Sequence, residues 1–135
     1  MSRSFSPVAL TSRVGTFAFG PGSAVGTVLL GWAAFLVMAV LVVVVRGSDH
    51  LANMVVFGAI AIAVAAWVAM RLSRASLLTS LVLGLLHTVT EGSYLVAGAT
   101  ATEADAGIIA VDAVGLASGM LIVVGSVLAL RRRRH

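Results

Sequence analysis

The sequence predicts an all-α, polytopic membrane protein: four transmembrane helices in an antiparallel bundle, with both termini in the cytoplasm. Three observations predict it. Of 135 residues, 60% are hydrophobic and only 10% charged, with a mean hydropathy of +1.11. A small soluble globule leaves too much chain in water for that composition, since soluble domains run near half apolar and a quarter charged. The apolar residues also fall into four runs, each long enough to cross about 30 Å of hydrocarbon as a helix. Finally, the arginines lie almost entirely on one side of the resulting topology.

The elements follow in chain order. Residues 1–23 are too polar to span and form a cytoplasmic segment, flexible or held at the interface through Val14, Phe17 and Phe19. Gly20, Pro21, Gly22 and Ser23 punctuate its end, and the first span runs 24–45 up to Arg46. It exceeds the 7–15-residue apolar core of a signal peptide and has no small-residue cleavage site behind it, so it stays in the protein. Residues 46–50 form a tight link that makes the first two spans a hairpin. The second span covers 51–70 and closes at Arg71, and Ser73 is positioned to cap the third, 75–98. Thr102 followed by Asp105 has the spacing of a capping box ahead of the fourth span, 107–130. Residues 131–135 are a basic cytoplasmic tail.

Orientation comes from the arginine count. Arg3, Arg13, Arg71, Arg74 and Arg131 to Arg134 share one side of a four-span topology, against Arg46 alone on the other. The positive-inside rule puts the eight in the cytoplasm. All nine basic residues are Arg, and Lys, Gln and Cys are absent. The first two absences, beside the Ala, Val and Gly excess, point to a bacterial gene and hence to the plasma membrane. The last excludes disulfides, thiolate catalysis and Cys-ligated metals.

The chemistry of such a chain is sought in polar groups that lie inside the lipid, where each ionisable side chain opposes insertion by about 2.5–3.5 kcal/mol. On the third span Ser80, Gly84, His87, Glu91 and Tyr94 recur at steps of three and four and therefore share a stripe. The fourth carries Asp112, Gly115, Gly119, Ile122 and Ser126 on a similar spacing. From the rise per residue, His87 lies near the midplane, Glu91 roughly 7 Å outward, and Asp112, Asn53 and Tyr94 roughly 10 Å outward. Glu91, His87, Asp112, Asn53 and Tyr94 are thus the candidate proton or ligand pocket, opening outward among spans two, three and four. Glu91 either pairs with His87, four residues earlier, or keeps its proton.

Each of these residues also has a packing interpretation: Glu91 as a hydrogen bond between helices, His87 as a buried bonded imidazole. Gly115, Gly119, Gly84, Ala61 and Ala65 are read as helix-packing positions, since small residues let helices approach closely. Trp32, Trp67 and Tyr94 read as interfacial anchors. Arg131, Arg132, Arg133 and Arg134 are expected to contact anionic lipid at about 1 kcal/mol per charge.

No metal or other cofactor is expected. His87, Glu91 and Asp112 lack a metal-motif spacing, and His50 and His87 sit at different depths, too far apart to share a haem. No phosphate loop, nucleophile elbow or HExxH pattern is present, and no aromatic platform supports nucleic-acid binding. The expected partners are the bilayer with its anionic lipids, and either a second copy or a larger membrane complex. With no catalytic motif, the expected role is a non-catalytic accessory or scaffold subunit. The alternative is a proton-coupled small-solute transporter using Glu91, His87 and Asp112.

Overall fold

The computed structural model describes residues 23–134, and over these the chain is helical apart from short connections. The helices are α1 (Ala24–Arg46), α2 (Leu51–Arg71), α3 (Arg74–Ala99) and α4 (Ala106–Arg132), with a 3-10 turn at Ser48–His50. Each of the four is long and apolar enough to cross a membrane. Except for Ser23, the expectation for residues 1–23 lies outside the described residues, as does His135.

The starts of α1, α3 and α4 are settled by side chains that take up orphan backbone donors, whereas α2 continues from the 3-10 turn with no side-chain cap. Ser23 Oγ accepts from Gly26 N at 2.9 Å. Ser73 and Ser76 cap α3 reciprocally, each hydroxyl accepting from the other's backbone N–H at 3.1 Å. At α4 the structure differs from the sequence expectation. Asp105 is itself the cap, its Oδ1 accepting from Gly107 N at 2.7 Å and Ile108 N at 3.2 Å, while Thr102 lies in an exposed bend. Asp is among the side chains best suited to the cap position itself, where its carboxylate reaches the first free N–H groups of the helix.

The α1–α2 link turns on Gly47, at φ 99° and ψ 170°. A Cβ there would meet nothing within 4 Å, so the only cost of a side chain is conformational. Gly47→Ala is therefore expected to destabilise the protein by about 1–3 kcal/mol, read as a lowered unfolding midpoint in detergent. An unchanged midpoint would show that the link relaxes freely.

Packing centres on α4, which lies against α1 on one side and α3 on the other, while α2 leans mainly on α1. The contact faces of α4 are made of small residues, which suits helices whose association in lipid depends on close van der Waals approach. Ile122, fully buried, is wedged between two glycines: a Cβ on Gly31 or on Gly84 would come within 2.6 Å of its side chain. Gly125 lies against the α1 backbone, 2.7 Å from a would-be Cβ to Val28 N. Gly119 lies against Thr88 of α3.

α2 is buried only at Ala61, Val64 and Val68, all in its second half. Ala65 packs half-buried beside them. Its first half stands away from α3, leaving Leu51, Val55, Val56, Phe57 and Ile60 exposed. That separation opens the cleft described next.

Candidate functional site

The cleft has a volume of about 500 Å³. One wall is an α1 stripe of Trp32, Phe35, Met38, Val42 and Arg46, residues that fall on a single face because they recur every three or four positions. His50, Asn53, Met54, Phe57 and Ile60 form the α2 side, and Leu83, Leu86, His87, Thr90, Glu91 and Tyr94 the α3 side. α4 contributes Asp112 alone. All five sequence-predicted pocket residues thus line one cleft. It differs from the expected pocket among spans two, three and four in that α1 supplies a full wall. The small residues of α4 draw α1 and α3 onto that helix and close that side. The open side lies between α2 and α3, where Phe57, Ile60, Leu86, Thr90 and Tyr94 remain exposed.

The cleft is apolar along most of its length and charged at one end. There Arg46 Nη2 pairs with Asp112 Oδ1 at 2.6 Å, and the Arg46 guanidinium lies 5.6 Å from the centre of the Tyr94 ring. Asp112 is only 2% exposed. Its second oxygen, Oδ2, and Arg46 Nε are both buried without a hydrogen-bond partner. Leaving such atoms unpaired costs free energy; Asp112 lines the cleft with its Oδ2 on the side of Gly98 of α3, so this end holds a carboxylate that a single guanidinium does not fully satisfy.

Glu91 folds onto Gly115 of α4, where a Cβ would approach its carboxyl to 2.7 Å. Glycine here makes room for the carboxylate as well as for the helix. His87 Nδ1 lies 3.8 Å from Glu91 Oε1, an ion-pair separation rather than a hydrogen bond. The other nitrogen, His87 Nε2, is 3.0 Å from Ser118 Oγ. Ser118 donates its hydroxyl proton to Gly115 O at 2.7 Å, and a hydroxyl has one proton to give. Ser118 Oγ therefore accepts, and Nε2 carries the hydrogen. Nδ1 then faces Glu91 with either a lone pair or a proton. A lone pair opposite an ionised carboxylate would be repulsive, so this arrangement calls for one proton shared between His87 and Glu91. Phe35 packs edge-on to the imidazole with centroids 4.7 Å apart, and Trp32 packs edge-on to Phe35 at 5.9 Å.

Trp32 overturns its interfacial reading. It is 4% exposed, and its Nε1 donates to Ser80 Oγ at 2.9 Å. A buried indole N–H needs an acceptor, and the serine one helix away supplies it. Trp67 remains exposed. Of the packing set, Gly84, Gly115, Gly119 and Ala61 are buried and Ala65 is half-buried. Arg131 and Arg132 form the last turn of α4, and all four arginines of the tail are exposed.

Sequence reasoning missed Arg46, Phe35 and Ser118. The available signal was the α1 stripe, which ends in the single arginine on its side of the topology. Among the described residues, no group of three His, Asp or Glu is arranged to hold a metal ion. No protein-family model, curated protein or solved structure matches this chain.

Proposed function

We propose that this multi-pass protein sits in a bacterial plasma membrane as an antiparallel four-helix bundle with cytoplasmic termini, and that it is a proton-coupled carrier of a small solute. It carries out no covalent chemistry on this reading. The orientation rests on the arginine asymmetry, with the exposed Arg131 to Arg134 contacting anionic lipid of the inner leaflet. The observation that carries the function is the cleft itself. Its charged end joins the Arg46–Asp112 pair to a His87–Glu91 pair at 3.8 Å, where the His87–Ser118 hydrogen bond leaves a place for one proton between imidazole and carboxylate. Ionisable groups this deep in a membrane are costly, and they mark proton relays and solute paths where they converge on a cavity. The accessory-subunit role expected from the lack of catalytic motifs gives a 500 Å³ cleft no task.

An infrared pH titration of the protein in lipid tests the reading. The expected result is a carboxyl C=O band that is absent from Glu91→Gln. As pH is raised over about 5 to 9, that band or the charged-imidazole signature of His87 is lost in one shared step. A Glu91 that is ionised while His87 is uncharged throughout would contradict the shared proton and return the chain to a structural role.

A further inference from the structure

We infer that the solute taken by this cleft is a lipophilic cation, one positive centre on an alkyl or aromatic body, which slips in from the bilayer between α2 and α3 and displaces one proton as it binds. This rests on the reading of the cleft as a proton-linked site and goes further by fixing the ligand's charge, shape and route.

Charge is the first argument. The titratable and charged groups facing Glu91 are Arg46 from α1, His50 from the 3-10 turn before α2, His87 and Tyr94 from α3, and Asp112 from α4. Arg46 and Asp112 offset one another. While the His87–Glu91 pair keeps its proton, the site is neutral with His50 uncharged. Once the proton leaves, a net negative charge stands in apolar surroundings, which is unfavourable unless a cation replaces it. One proton out and one monovalent cation in keeps the balance. An anion would instead meet the carboxyl groups of Glu91 and Asp112, both of which line the cleft. Arg46 does not reverse this preference, because Asp112 and the face of Tyr94 already engage it.

Shape and access are the second. Below the charged end the walls are Trp32, Phe35, Met38, Phe57 and Leu86, suited to a hydrocarbon or ring and to cation–π contact just beneath the headgroup. About 500 Å³ lies within the range of small-molecule sites. The open side is flanked by apolar side chains exposed at the depth of the hydrocarbon, so an amphiphile already dissolved in lipid reaches the cleft without crossing water.

The test uses the full chain in lipid nanodiscs with Trp67→Phe, so that Trp32 is the only indole. The probe is bromine-tipped dodecyltrimethylammonium, whose bromine quenches tryptophan on contact. Trp32→Phe, with Trp67 left in place, reports background quenching from the lipid. Saturable quenching of Trp32 is expected, with about one proton released per cation bound. Affinity is expected to rise by up to tenfold per pH unit while the pair is protonated. Glu91→Gln should lose both the release and the pH dependence. The comparison among head groups needs no variant and so does not depend on any mutant folding. Equal saturable quenching by a bromine-tipped neutral alcohol, or stronger quenching by the matching sulfate, would overturn the cation while leaving the cleft a binding site. Cation binding without proton release would overturn the exchange. Absence of saturable quenching by every head group, together with a failed infrared titration, would overturn this inference and the carrier reading at once.

Discussion

Asp112→Ala should destabilise the protein by about 3 kcal/mol, the low end of the cost of breaking a buried ion pair. The loss comes from stranding Arg46 more than from the missing attraction. Its guanidinium donates to Asp112 Oδ1 at 2.6 Å with the side chain 24% exposed, and its Nε already lacks an acceptor. The partial exposure lets water recover some of the cost. Reversible unfolding in mixed micelles measures it. The double variant Arg46→Met with Asp112→Leu should regain most of the stability, because apolar side chains of similar size carry no desolvation penalty. It should also lose cation binding. If Asp112→Ala unfolds at the wild-type midpoint, the pair is not formed in the membrane, and the charged end of the cleft must be redrawn.

Gly31→Ala should cost about 3 kcal/mol, the upper part of the range for overpacking. An added Cβ would lie 2.6 Å from Ile122 Cγ1, 2.8 Å from Ile122 N and 3.0 Å from Ser118 O. Two of those three atoms are backbone, so no rotamer change relieves the overlap and α1 must move off α4. Gly58 is the control. A Cβ there meets only Leu36 Cδ2 at 3.8 Å, so Gly58→Ala is expected to be neutral or to stabilise by up to about 1 kcal/mol through helix propensity. Thermal unfolding of the two variants side by side separates them. Equal midpoints would mean that the α1–α4 contact is looser than drawn.

Much of the fold was legible because hydropathy and punctuation speak directly to where a helix begins and ends. Arg46, Arg71 and Ser73 fall at boundaries for simple reasons of solvation and capping. That His87, Glu91 and Asp112 belong together was legible too, since polar residues within apolar runs stand out at heights set by the helical rise, and all three line the cleft. Their partners were not. Arg46 reads as an ordinary basic stop, and nothing along the chain says that it turns inward to a carboxylate on α4. Trp32 looks like any membrane tryptophan until Ser80, on another helix, supplies its acceptor. The α1 wall escaped notice because Phe35, Met38 and Val42 are as apolar as the lipid-facing residues around them. Hydropathy records what is expensive in lipid; which helix relieves the expense depends on the small residues of α4 and the approach they allow.

The uneven hold on α2 has a mechanical consequence. Its second half is clamped at Ala61, Val64 and Val68, while α1, α3 and α4 interlock around Ile122 without its help. The stretch from Ala61 back to His50 is then a lever about 16 Å long at 1.5 Å per residue. Tilting it by about 10° would swing the His50 end by about 3 Å, and Gly47 gives the adjoining link a joint with no side chain to obstruct the swing. Such a rocking arm would widen or narrow the gate facing α3 while the other three helices stay in register.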